Sequence, residues 1–154
     1  MKKIIFWFSL PTVATAFFLT FLTLPTSQPA AHEGATGVVK QRMESMKYMG
    51  VAMKNLKAMF TGQKELDTEE VVKLAKVIES IGGDKLVSMF PKGSIQMMSE
   101  ALPSIWENPD KFRELSDDLA IKAKTLAQEP NQMNFVFLAK SCGACHTDFR
   151  KKKN

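Results

Sequence analysis

The sequence predicts an all-α chain folded as an antiparallel four-helix bundle. Apolar residues recur every three or four positions in four separate stretches, each bounded by capping or turn residues. No part of the chain after residue 31 combines period-two alternation with turn signals, so a sheet has no sequence support. With 154 residues, 45% apolar and 24% charged, the chain is long enough for one ordinary core and too short for two large domains.

The N-terminus is read as an export signal. Met1-Lys2-Lys3 precedes an uncharged run over residues 4–24 and a Pro/Ser/Gln/Ala run over residues 25–31, the basic, apolar and small-residue order of a secretory leader. Cleavage is expected near Ala30 or Ala31, giving a signal peptide over 1–31 and a domain over 32–154. Retention as a membrane anchor is the alternative, because residues 4–24 match the ~20 residues a spanning helix needs. Ser9, Pro11 and several threonines weaken it. Loss of Lys2 and Lys3 leaves 19 Lys and Arg against 16 Asp and Glu, so the formal charge falls from +5 to +3. The remaining excess is concentrated at Lys140 and residues 150–153, with no interleaved aromatic platform of the kind nucleic acid requires.

The first helix is expected over Gly37–Phe60, where Val39, Met43, Met46, Met49, Met53, Leu56 and Phe60 keep helical spacing and Lys40, Lys47, Lys54 and Lys57 mostly occupy the other side. Gly62 is its stop signal. Asp67 with Glu70 reads as a capping box for the second helix, whose inward stripe is Val71, Leu74, Ala75, Val77 or Ile78, and Ile81. Gly82-Gly83 ends or bends it. Residues 84–107, with Pro91, Gly93 and Pro103, form a long connection with room for short helical turns. Asn108-Pro109 supplies a cap and an N1 proline for a third helix running to about Gln128, buried through Phe112, Leu115, Leu119, Ala123 and Leu126. The fourth begins at Pro130 or Asn131 and runs through Phe135, Leu138, Cys142, Cys145 and Phe149.

Packing among these helices explains most of the apolar pattern, but not the cysteines. The two in the chain form Cys142-Gly-Ala-Cys145-His146. That spacing is the c-type haem attachment pattern: each thiol adds to one vinyl group, and the adjoining imidazole binds iron. One motif implies one haem c. A disulfide or redox-active thiol pair is the bland alternative, and zinc is poorly supplied with two cysteines and two histidines in the whole chain. Of the methionines at 43, 46, 49 and 53, any one is soft enough to be the second iron ligand, and all four are equally readable as core.

Three separated motifs then resemble one family. Arg42-x-x-x-Met46, the run Ala101-Leu-Pro-Ser-Ile-Trp106-Glu-Asn-Pro-Asp-Lys-Phe112, and Cys142-Gly-Ala-Cys-His-Thr-Asp-Phe-Arg150 are similar, in this order, to the cytochrome c′ family of class II c-type cytochromes, over residues 35–150. The resemblance implies a four-helix bundle with haem on its last helix. It places a distal iron ligand four residues after the first helix's arginine, at Met46, with His146 as the proximal ligand, as in the family's low-spin, electron-carrying branch. It also implies that Arg42 pairs with a haem propionate and that Arg150 stands beside the proximal histidine. Phe149 departs from a tyrosine found in some relatives, and Trp106 is expected to pack near the haem or the core.

On this reading the protein is a periplasmic electron carrier and not an enzyme, and Cys142, Cys145, His146, Met46, Arg42 and Arg150 form its cofactor site. The alternative function is that of the family's five-coordinate branch, which binds NO or CO. Expected partners are redox proteins with acidic docking surfaces and, from the resemblance, a second copy of the chain; association with a membrane requires retention of the leader. Nucleic acid is not expected.

Overall fold

The structure, a computed structural model, describes residues 35–96 and 98–152. The expected signal peptide and His32 lie outside the described residues. Among these residues six helices follow in order: α1 (Gly37–Phe60), α2 (Thr68–Ile81), α3 (Asp84–Ser88), α4 (Ser104–Glu107), α5 (Pro109–Gln128) and α6 (Gln132–Phe149). The four long ones are those the periodicity predicts, and the connection over residues 84–107 holds the two short ones. Among the described residues no helix is long and apolar enough to cross a membrane.

Local chemistry sets most of the boundaries. The Asp67 side chain accepts hydrogen bonds from the backbone N–H of Glu69 and Glu70 at 2.9 and 3.1 Å, and Asn131 accepts from Asn134 N–H at 2.9 Å. Each satisfies donors that the first helical turn leaves open. Asn108 differs from expectation: its side chain makes no capping bond, and α5 starts instead on Pro109, which has no N–H to satisfy.

The long helices close a ring in the order α1, α2, α5, α6, with α2 against α5 the most extensive contact and α1 against α6 the slightest. Leu56, Val71, Ala75, Ile78, Ala123, Leu126 and Leu138 are fully shielded and form the main core with Met49, Met59 and Phe135. Ile78, not the exposed Val77, completes the α2 stripe. The rings of Phe60 and Phe135 stack with centroids 5.0 Å apart, joining the end of α1 to the start of α6. These two helices are therefore antiparallel, and the cysteine-bearing end of α6 returns beside the start of α1.

A second, smaller core fills that end. Ile105, Phe112 and Phe149 are buried together, with Phe90, Trp106, Leu115 and Cys145 packed against them. Phe112 meets both Phe90 and Phe149 edge-on, at centroid distances of 5.0 and 5.2 Å. Trp106 takes the packing role expected of it and donates its indole N–H to the Phe90 carbonyl at 2.9 Å.

Candidate functional site

Cys142 and Cys145 lie one turn apart on α6, both half-buried and both free thiols. They face different neighbours: Cys142 packs against the main core and Cys145 against the second. Burial pushes the Cys142 thiol up and carries Cys145 to about 11, with the charges of Cys142 and Asp148 adding to the latter. Both are thiols, not thiolates, at neutral pH. Gly143, Ala144, His146 and Thr147 are exposed, and a Cβ at Gly143 would meet nothing within 4 Å.

His146 is exposed, yet partial burial lowers its pKa, the positive Arg150 lowers it further, and Glu100 opposes both. A neutral imidazole at pH 7 is the form that binds a metal. Arg150 is one turn beyond and is the C-cap of α6, in extended backbone. Its Nε donates to Glu100 Oε2 at 2.7 Å, and its Nη2 forms an ion pair with the same oxygen.

On the facing helix, Met46 is half-buried against the main core, the same cluster that Cys142 touches. Met43 is half-buried and Met49 is buried in that core. Arg42, one turn before Met46, is 2% exposed, an unusual setting for a guanidinium. Its Nη1 donates to Ser94 Oγ at 3.3 Å, its Nη2 donates to the Ser94 carbonyl, and its Cζ lies 4.7 Å from the centre of the Phe90 ring. Its Nε is buried with no hydrogen-bond partner. Phe90 connects Arg42 to the second core and hence to Cys145.

Together these residues make a donor set suited to a haem: two thiols, a neighbouring imidazole, a half-buried thioether on α1, and a buried cation whose Nε is unpaired. Among the described residues no group of three or more His, Cys, Asp and Glu side chains can hold a metal ion by itself. Iron brought by a macrocycle avoids that requirement, because the protein then supplies only axial ligands.

Sequence reasoning singled out Met46, Arg42, Cys142, Cys145, His146 and Arg150, but missed Glu100, Phe90 and Ser94. Glu100 is 50 residues from Arg150, and Ser94 is 52 from Arg42. Neither lies in a motif, so no local pattern marks them.

A sequence model of the family described as Cytochrome C' matches residues 37–150. Cytochrome c-556 of Agrobacterium tumefaciens (strain II Chrys) is 38% identical over 123 residues, covering 76% of this chain and 99% of that protein. The solved cytochrome c′ of Rhodopseudomonas palustris superposes with a TM-score of 0.73 at 33% identity, over 78% of this chain and all of that one. A cytochrome c′ described as having ligand-controlled dimer dissociation shares the fold, with a TM-score of 0.67 at 20% identity over 82% of this chain and 100% of that one. The bundle, the attachment motif at the end of α6 and the match over nearly the whole described domain agree: this chain belongs to the cytochrome c′ family, a protein of electron-transfer type that carries a covalently bound c-type haem.

Proposed function

We propose that the protein is an exported, periplasmic one-electron carrier whose single haem is held by Cys142 and Cys145, with His146 and Met46 as axial ligands, and that it transforms no substrate. The observation carrying this reading is that Met46 on α1 and Cys142 on α6 both pack against the same core cluster, α1 and α6 being the pair of neighbouring long helices with the slightest mutual contact. When bound, the haem supplies the one-electron couple. The chain does the rest: the thiols fix the group, the thioether and imidazole hold their places in both oxidation states, and the two cores exclude water. Arg42, buried with a free Nε, is suited to a carboxylate of the haem. One electron enters from a reduced partner protein and leaves to an oxidised one, and no atoms are transferred.

Lys140, Lys151 and Lys152 are exposed along and beyond α6 and favour approach of an acidic redox partner to this end. Exposed Tyr48 and Val51 on α1 and Val77 on α2 support a homodimer through those helices, in keeping with the dimer described for the fold relative.

The test is the visible spectrum of oxidised and reduced holoprotein beside Met46→Ala and Met49→Ala. A low-spin wild type that turns high-spin only on Met46→Ala supports the reading. The same substitution lowers the reduction potential, by an amount on the order of tenths of a volt within the ~0.8 V that axial ligation spans. A high-spin wild type unchanged by Met46→Ala overturns it in favour of a five-coordinate NO or CO binder.

A further inference from the structure

The end of α6 is finished by a distant part of the chain. Arg150 and Ala101 form an isolated antiparallel bridge. Leu102 N–H donates to the Phe149 carbonyl at 3.0 Å, and Lys151 N–H donates to the Glu100 carbonyl at 2.8 Å. Ser104 Oγ donates to the Asp148 carbonyl at 2.9 Å, and Lys151 Nζ donates to the Ser99 carbonyl at 3.1 Å. Two of these bonds satisfy carbonyls that the last helical turn leaves open. Their combined effect is to fix the backbone of residue 150 against that of residues 99–102.

Upon this frame the Arg150 side chain is held by one carboxylate oxygen, taking bonds from both Nε and Nη2. The fork geometry leaves the guanidinium little freedom. A second ion pair, Lys111 Nζ to Asp148 Oδ2 at 2.9 Å, ties α5 to the last turn of α6. Arg150 and Glu100 act on the His146 imidazole with opposite signs.

We propose that Glu100 is a positioning residue for the haem: by holding and neutralising Arg150 it keeps a fixed, charge-balanced pair beside the proximal imidazole, and thereby sets the reduction potential of the iron. The proposal rests on the reading of His146 as the proximal ligand. Gaining an electron lowers the positive charge at iron, so a nearby uncompensated cation favours the reduced state. A nearby uncompensated carboxylate disfavours it. Glutamine at position 100 retains an acceptor for Arg150 while removing the negative charge, and glutamine at 150 removes the cation.

The experiment is spectroelectrochemical titration of holoprotein at low ionic strength, where screening of this half-exposed pair is weakest. E100Q is expected to favour the reduced form about three- to tenfold, roughly 30–60 mV at 59 mV per tenfold for one electron. R150Q is expected to shift the equilibrium the other way by a similar factor, and E100Q/R150Q to return near wild type. A structural role alone does not give shifts of opposite sign that cancel. An unmoved potential in E100Q with a normal spectrum, or shifts of the same sign in both single variants, overturns the proposal alone. A wild type lacking haem on the two thiols overturns the site and the proposal together. If E100Q fails to fold, R150Q and R150K keep the proposal testable: a potential lowered by R150Q and near wild type in R150K, which retains the cation, supports it, and an unmoved potential in R150Q overturns it.

Discussion

Gly82, the C-cap of α2, packs tightly against Ala120 of α5, and its replacement by alanine isolates the cost of that approach. Its backbone, at φ −66° and ψ −179°, is open to any residue. Alanine there is thus favoured by about 0.4–1 kcal/mol through the smaller entropy of the unfolded chain. Space decides the other way. A Cβ at this position would stand 3.0 Å from Ala120 Cβ, 3.1 Å from Ala120 N and 3.2 Å from Ala120 Cα. Two of those three atoms are backbone, so no rotamer change relieves the contact. The helices cannot easily part, because Gly83 N–H donates to the Ser116 carbonyl at 2.9 Å while buried Ser116 Oγ donates to the Gly83 carbonyl at 2.9 Å. Overpacking of this kind costs about 1–3 kcal/mol, which outweighs the entropic gain. Thermal unfolding of the holoprotein should show Gly82→Ala melting lower, by roughly 3–6 °C per kcal/mol for a domain of this size. Gly50→Ala is the control: exposed within α1, with nothing within 4 Å of a Cβ, it should stabilise by about 0.5–1 kcal/mol. A Gly82→Ala variant as stable as wild type, or more so, would refute the reasoning that the α2–α5 contact leaves no room for a methyl group.

The attachment chemistry is tested by Cys142→Ser and Cys145→Ser: each single variant should keep one thioether and a shifted reduced spectrum, and the double variant should release its haem to acid–acetone extraction. If the basic end of α6 guides an acidic partner, electron exchange with such a protein should slow as salt shortens the screening length from about 10 Å at 0.1 M to about 3 Å at 1 M. Lys140→Glu should slow it by roughly tenfold or more at low salt, measured by stopped-flow absorbance, and a rate indifferent to salt would exclude that steering.

The four long helices were legible in the sequence, because each carries its own periodicity and its own punctuation: Asp67 and Asn131 cap as side-chain chemistry dictates, and Pro109 opens α5 without a capping bond from Asn108. The expectation of a c-type haem was legible too, since Cys142, Cys145 and His146 are neighbours in the chain, and membership of the family bears it out. Among several methionines at helical spacing, only the family resemblance singled out Met46 as the expected, and here proposed, second ligand. Tertiary structure alone decided which side of an ambiguous stripe is inside, burying Ile78 and leaving Val77 in solvent. It alone placed Arg42 in the interior against Phe90 and Ser94, and Glu100 on Arg150. The physical reason is range: helix periodicity, capping and covalent attachment act over a few residues. A buried cation and a balanced ion pair depend instead on which distant segments the bundle brings together.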